Sequence, residues 1–218
     1  DGRVFVWDVG TRARLATVEC GAAAFTVDVA EEAGRLLTNG PDGTLGAHAL
    51  DRGERCVVFE GHPGERHVYA AFTGDERRVV SGGEDGTLRV WDAATGRRLA
   101  EARPGPHGIS CLATLDATRV VVGWSHGEVG VFDADRGAQT QRWPAHEDWV
   151  REVRVSSDRR FIASVCQDFS VSVFDLESVT TRVLRGQRPA RSIAFGLAGE
   201  LLSAGAEADR VDVARYEA

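Results

Sequence analysis

The sequence lacks lysine and methionine, and it contains few cysteines. All 26 basic residues are arginine and stand against 33 acidic residues, which gives a formal net charge of -7. This balance argues against a general nucleic-acid-binding protein. The four cysteines, Cys20, Cys56, Cys111 and Cys166, include no CxxC pair. Zinc fingers and redox pairs need close spacing, so we expect no metal and no other cofactor.

Long hydrophobic runs are also absent. Every apolar stretch is far shorter than the roughly 20 residues that span a membrane, and no cationic leader precedes an apolar stretch. Widely spaced thiols suit a reducing compartment. We therefore expect a cytoplasmic or nuclear protein that contacts no membrane. Because the chain contains no methionine, we also expect it to be a piece of a longer protein.

A tight-turn pattern recurs along the whole chain. Its copies return about every 42 residues, and such a fixed period is typical of solenoids, arrays and propellers. Each turn is followed by a segment in which apolar and polar residues alternate, and this alternation predicts a strand. With the strands before and after it, each period holds four strands, which favours an all-β propeller. The turns are Asp1-Gly2, Asp42-Gly43, Asp85-Gly86, His126-Gly127, Asp168-Phe169 and Asp209-Arg210.

Two copies of the repeat carry further matching residues. One contains Gly61-His62, Ser81, Asp85-Gly86 and Trp91-Asp92, and another contains Ala145-His146, Ser164, Asp168 and Phe174. On these residues the chain resembles the WD40 repeat family. The resemblance implies a WD40-type β-propeller whose blades have four strands, named a to d from the central channel outward.

We interpret residues 1–218 as a single β-propeller region of about five and a quarter repeats. The strand count of about 21 falls short of the roughly 28 that a seven-bladed ring requires. The sequence therefore predicts a fragment of a seven-bladed ring, with a six-bladed ring or an open arc as the alternatives. The repeats are a partial one at 1–8, followed by 9–49, 50–92, 93–133, 134–175 and 176–218.

The family resemblance implies a structural role for His62, Ser81, Asp85 and Trp91. In such a tetrad the Trp91 indole donates to Ser81, Ser81 donates to His62, and His62 donates to Asp85. This chain of hydrogen bonds satisfies buried polar groups. The resemblance also implies a second tetrad at His146, Ser164, Asp168 and Phe174. This tetrad is partial, because the phenylalanine side chain cannot donate a hydrogen bond.

Serine, histidine and aspartate are also the residue types of a nucleophilic triad, so a serine hydrolase is an alternative. Residues 123–127 match the G-x-S-x-G pattern around Ser125. That motif requires a helix after the serine, whereas an alternating strand follows here. We therefore predict a hairpin turn and a protein that is not an enzyme, and we give a hydrolase using Ser125 or Ser81 the least weight.

The loop before strand a and the turn between strands b and c open on one face of a propeller. Members of the family commonly bind proteins and peptides there, so we expect such partners and no small-molecule substrate. Function would then be a non-catalytic interaction scaffold. An alternative is the sensor arm of a larger signalling protein with an NTPase or kinase elsewhere. The candidate partner-binding residues are Arg66, His67, Glu84, Ser125, Asp148, Trp149 and Gln167.

Overall fold

The computed structural model describes residues 2–21, 26–168, 170–185, 190–196, 200–205 and 211–215. These residues form 21 strands and one short 3-10 helix, Pro41–Gly43. None of them forms a helix that is long and apolar enough to cross a membrane. Four residues of the predicted turns, Asp1, Phe169, Asp209 and Arg210, lie outside the described residues.

The strands form six antiparallel sheets, each made of strands that follow one another in the chain. A two-stranded sheet comes first, with β1 (Arg3–Trp7) and β2 (Arg14–Glu19). Blade 1 contains β3 (Val27–Ala30), β4 (Arg35–Asn39), β5 (Leu45–Ala49) and β6 (Arg55–Phe59). Blade 2 contains β7 (Val68–Phe72), β8 (Arg78–Gly83), β9 (Leu88–Asp92) and β10 (Arg98–Ala102).

The second half of the chain repeats this arrangement. Blade 3 contains β11 (Ile109–Thr114), β12 (Arg119–Trp124), β13 (Glu128–Asp133) and β14 (Ala138–Pro144). Blade 4 contains β15 (Val150–Val155), β16 (Phe161–Cys166), β17 (Ser170–Asp175) and β18 (Thr180–Arg185). A three-stranded sheet follows, with β19 (Ala190–Phe195), β20 (Glu200–Gly205) and β21 (Val211–Arg215).

The first strands of neighbouring blades pack side by side. Contacts run from β3 to β7, from β7 to β11, from β11 to β15 and from β15 to β19. These strands are therefore the inner strands a, and the sheets radiate outward from them. Among the described residues no strand pairing joins the first sheet to the last. The predicted all-β architecture of four-stranded units is confirmed.

The hydrophobic core lies between blades and not within one sheet. Along β8, Val79 packs into the cluster shared with blade 1, whereas Val80 packs into the cluster shared with blade 3. Along β12, Val121 faces blade 4 and Val122 faces blade 2. Side chains that alternate along a strand point to opposite faces of its sheet, so each blade is buried on both sides.

Side chains also satisfy the backbone of the inner strands, which are not paired with each other. The Thr26 hydroxyl donates to the carbonyl of Val68 at 2.9 Å. The amide of Phe72 donates to Asp28 at 2.7 Å, and Thr114 donates to the carbonyl of Phe72 at 2.6 Å. These bonds supply partners to buried main-chain groups that no sheet ladder reaches.

One repeat position shows how much a complete blade matters. Trp91, on the third strand of blade 2, is 1% exposed. Trp7 occupies the matching position on β1 and is 58% exposed. In the described structure β1 pairs only with β2, so no second strand lies beside Trp7. Burial of this tryptophan therefore depends on the neighbouring strands rather than on its local sequence.

Close backbone contacts hold the loop before strand a against the preceding blade. The amide of His62 donates to the carbonyl of Gly43 at 2.8 Å, and the amide of His146 donates to the carbonyl of Gly127 at 2.9 Å. A β-carbon on Gly61 would lie 1.9 Å from the Gly43 carbonyl oxygen. These contacts fix one end of each blade relative to the next.

This contact predicts a difference between two nearby glycines. Gly61 and Gly64 have φ angles of 65° and 86°, but a β-carbon on Gly64 would meet nothing within 4 Å. A left-handed conformation costs alanine about 1–2 kcal/mol at either position. The clash adds about 1–3 kcal/mol for Gly61→Ala. Urea unfolding of both variants measures the difference, and equal losses of stability would contradict the close contact.

Candidate functional site

The blade ends at which strand a begins form the candidate site. In blades 2, 3 and 4, the residue just before strand a contacts a residue at the end of strand b or just after it. We call this end of each blade its mouth. The imidazole of His67 contacts Glu84 at 2.6 Å. The backbone amide of Ser125 donates to the carbonyl of Gly108 at 3.0 Å, and the backbone amide of Gln167 donates to the carbonyl of Trp149 at 3.0 Å.

The seven candidate partner-binding residues all lie at these blade ends. Five of them belong to the pairs just described: His67, Glu84, Ser125, Trp149 and Gln167. The other two directly precede a paired residue: Arg66 precedes His67, and Asp148 precedes Trp149. We call the surface that they share the loop face: Arg66, His67, Glu84, Ser125, Asp148, Trp149 and Gln167.

Acidic and basic groups are close together on the loop face near blade 2. Glu84 and His67 are both partly exposed. Burial raises the pKa of Glu65, and the nearby carboxylates of Asp85 and Glu84 raise it further. Glu84 contacts His67 and Asp85 contacts Arg89, so this edge is a network of paired charges.

Hydrogen bonds fix the backbone around Trp149. The carboxylate of Asp148 accepts from the Trp149 amide at 2.7 Å. The thiol of Cys166 donates to the carbonyl of Asp148 at 3.0 Å. The indole of Trp149 is nevertheless 38% exposed, whereas Trp124 and Trp91 are almost fully buried. A large apolar group held rigidly at the surface is typical of an interface anchor.

A pocket of about 190 Å³ opens beside Trp149, between the inner strands of blades 2, 3 and 4. Of the loop-face residues only Trp149 and Gln167 line it. The other lining residues were not among the sequence-based candidates: Tyr69, Ser110 and Arg151. These three residues occupy the same position in successive repeats, and this repeat spacing is the sequence signal that could have identified them.

Two of these residues are placed by β-bulges. The pairing of β11 with β12 shifts register between Ile109 and Cys111, and the pairing of β15 with β16 shifts between Val150 and Glu152. The extra residues are Ser110 and Arg151. A bulge leaves its extra residue out of the ladder, and both of these residues line the pocket, as does Tyr69, whose pairing with Gly82 is regular.

The tetrad residues of blade 2 form one continuous hydrogen-bond chain. The Trp91 indole donates to Ser81 at 2.9 Å, and the Ser81 hydroxyl contacts His62 Nε2 at 2.9 Å. His62 Nδ1 lies 3.3 Å from Asp85. Burial lowers the pKa of His62, and the charge of Arg89 lowers it further. A neutral imidazole that donates from Nδ1 to Asp85 fits this arrangement.

The corresponding residues of blade 4 form a similar network. His146 Nε2 contacts Ser164 at 2.7 Å, and its Nδ1 contacts Ser170 at 2.6 Å. The Ser170 hydroxyl in turn donates to Asp168 at 2.5 Å. Asp168 and His146 are therefore joined through a hydroxyl, and Thr87 makes the two corresponding contacts in blade 2. Burial lowers the pKa of His146 to about 4, although the carboxylate of Asp168 opposes this shift.

Phe174 takes the place of Trp91 in blade 4 and packs against an aromatic residue of the preceding blade. Its ring stacks on Trp143 with centroids 3.9 Å apart. In blade 2 the arrangement is reversed, since Trp91 lies edge-on to Phe59 at 6.2 Å. Both interfaces therefore contain a tryptophan packed against a phenylalanine, with the two residues in exchanged positions. The interface of blade 4 lacks the hydrogen bond that Trp91 donates in blade 2.

His146, Cys166 and Asp168 also present three potential metal-ligand atoms within 4.8 Å of one another. We predicted no metal from the sequence, and Cys166 was not weighed with these residues. The Ser170 hydroxyl lies between His146 and Asp168 and bonds both. Burial raises the pKa of the Cys166 thiol to about 11, so it stays protonated at neutral pH. Hydrogen bonds thus account for the arrangement of these side chains.

The two networks predict unequal costs for the same substitution. Ser81→Ala removes the partner of both Trp91 and His62, whereas Ser164→Ala removes a partner only from His146, because Phe174 cannot donate. One additional unsatisfied buried group costs about 1–3 kcal/mol. Ser81→Ala should therefore reduce the free energy of unfolding by that much more in urea titrations. Equal losses would mean that the indole bond to Ser81 contributes nothing.

Comparison with known proteins agrees with this geometry. The family model described as WD domain, G-beta repeat, matches residues 53–92 and 137–175. A Xenopus laevis protein, the sterol regulatory element-binding protein cleavage-activating protein, is 32% identical over 89 residues. That match covers 40% of this chain and 6% of the relative, so the chain spans only a small part of that relative's length.

A solved structure extends the comparison to the whole fold. The crystal structure of the computationally designed Ika8 protein aligns with a TM-score of 0.81 and 24% sequence identity. The alignment covers 99% of this chain and 66% of that one. At this identity the likeness is one of fold. The two matched segments thus carry WD40 repeats, and the radial arrangement of the sheets is that of a propeller-type fold.

Proposed function

We propose that this WD40-repeat propeller is a non-catalytic scaffold that docks a protein or peptide partner on its loop face. The observation that carries the proposal is the exposed side chain of Trp149, which lines a pocket and whose backbone is held by hydrogen bonds. A rigid aromatic side chain loses little conformational freedom on binding, so it contributes strongly to affinity.

The buried inter-blade core supports the same role. Because each blade is packed on both sides, the loops at the blade ends keep fixed positions relative to one another. Partners can then contact three blades at once through preorganised groups. The pairs at the three blade mouths supply an acid, a hydroxyl and an amide side chain: Glu84, Ser125 and Gln167.

The surroundings of the two candidate nucleophiles argue for docking over hydrolysis. Ser81 is 0% exposed, and its hydroxyl is engaged by His62 and Trp91. Ser125 lies between β12 and β13, in a turn between strands rather than between a strand and a helix. A nucleophile elbow needs the helix. Since all four cysteines are free, we keep the cytoplasm or nucleus as part of the proposal.

A regulatory role within a larger protein is the second candidate. The matched Xenopus laevis relative is named for activating the cleavage of another protein, and the present chain spans 6% of it. In that case the loop face would bind the regulated partner or another part of the same protein. Domains encoded next to this propeller in the full reading frame would test the idea, and an isolated propeller would contradict it.

The docking proposal predicts opposite outcomes for two exposed apolar residues of blade 4. Trp149 lies on the loop face, whereas Val179 lies in the β17–β18 turn at the other end of the blade and is 66% exposed. Trp149→Ala should reduce the retention of partner proteins by the immobilised chain about tenfold or more. Val179→Ala should leave retention unchanged. Quantitative mass spectrometry of the retained proteins makes the comparison.

Thermal unfolding provides the control for these variants. Both side chains are exposed, so both variants should unfold close to the wild-type temperature. If Trp149→Ala instead unfolds the protein, the indole is part of the core and the assigned site is wrong. Equal loss of partners from both variants would place docking outside the loop face.

A further inference from the structure

The pocket beside Trp149 holds one positive charge that no acidic group of the described residues neutralises. Within the described part of the chain, the Arg151 guanidinium has no carboxylate within ion-pair distance, and it donates to Gln167 Oε1 at 3.0 Å. The neighbouring carboxylate of Glu152 is engaged by Arg154 and by the amide of Ile193. Arg151 therefore keeps donors available for an anionic group.

The same pocket is lined by a serine whose buried hydroxyl is poorly satisfied. Ser110 is 2% exposed, and among the described residues its Oγ has no oxygen or nitrogen partner, only the adjacent thiol of Cys111. Buried polar groups are nearly always hydrogen-bonded, so an unsatisfied one that lines a pocket points to a bound acceptor. Register shifts of the strand pairing lie at Ser110 and Arg151, and both residues line this pocket.

The size and the walls of the pocket restrict what can enter. About 190 Å³ suits one short side chain. Polar atoms form most of the accessible wall, and Trp149 and Tyr69 are among the residues that line it. Aromatic rings favour contact with methylene groups, while Arg151 and Ser110 offer donors to oxygen. A side chain that combines methylene groups with a terminal carboxylate matches both features.

The charge of the surroundings favours a single negative charge over two. Arg151 is the one cation that lines the pocket in the described structure, and the chain carries a net charge of -7. Acidic residues of the loop face, Glu84 and Asp148, lie at the neighbouring blade mouths. A phosphate group brings close to two charges, which one arginine among acids does not balance.

We infer that this pocket binds the side-chain carboxylate of a glutamate in an extended partner peptide, through Arg151 and Ser110. The inference rests on the proposed docking function and specifies the ligand chemistry of the same face. Polar residues at the ends of blades 2 and 3, Glu84 and Ser125, offer contacts to the main chain of such a peptide along the loop face.

Peptide arrays test the inference directly. The probes are acetylated and amidated heptapeptides with glutamate at the centre and varied flanking residues, next to matched sets with central glutamine or phosphoserine. A further set has central glutamine and a free carboxyl terminus. The fluorescently labelled wild-type chain should bind the best glutamate peptides about 10- to 100-fold more tightly than their glutamine counterparts.

Three variants connect that preference to the pocket. Arg151→Met should remove the preference for glutamate over glutamine, and Ser110→Ala should reduce it in part. Arg97→Met, an exposed arginine in the turn between β9 and β10 at the opposite end of blade 2, should leave it unchanged. If Arg151→Met keeps the preference while unfolding at the wild-type temperature, the inference is wrong.

The remaining outcomes separate this inference from the proposed function. Equal binding of glutamate and glutamine peptides, abolished by Trp149→Ala, would overturn the carboxylate assignment and leave loop-face docking intact. Tighter binding of the phosphoserine set or of the free carboxyl termini would also overturn it. Failure of every peptide set to bind would contradict both the inference and peptide docking.

Discussion

The structure depends above all on the packing of each blade against the next. Neighbouring inner strands share no sheet ladder, so buried side chains and a few side-chain-to-backbone bonds hold them together. The alternation of side chains along β8 and β12 serves two interfaces at once. A strand that is buried on both faces must be apolar at nearly every position, which is the pattern seen in these strands.

This packing turns irregular loops into a defined surface. His62 and His146 join the loop before strand a to strand b, while Gly43 and Gly127 join it to the preceding blade. Buried and neutral imidazoles suit that role, since burial lowers the pKa of both histidines. Surface groups on the loops are then presented at fixed separations, and a partner need not order them.

The sequence specified the repeat period, the strand pattern and the tetrad positions, because each recurs in several copies. It did not specify the pocket. Ser110 and Arg151 line it through bulges, and a bulge depends on the pairing of two strands rather than on local composition. The bond from His146 through Ser170 to Asp168 was also missed, since it needs side-chain geometry. The position of Trp149 directly before a strand a predicted that its side chain is exposed, and the structure shows it exposed.

The central claim is that partners bind at the loop face. Hydrogen–deuterium exchange of the chain, alone and saturated with a captured partner or peptide, tests it most directly. We expect slower exchange in the segments around Ser125, Trp149 and Gln167, with no change in the turns around Arg97 and Val179. Protection confined to those turns, or spread evenly over the whole chain, would contradict the account.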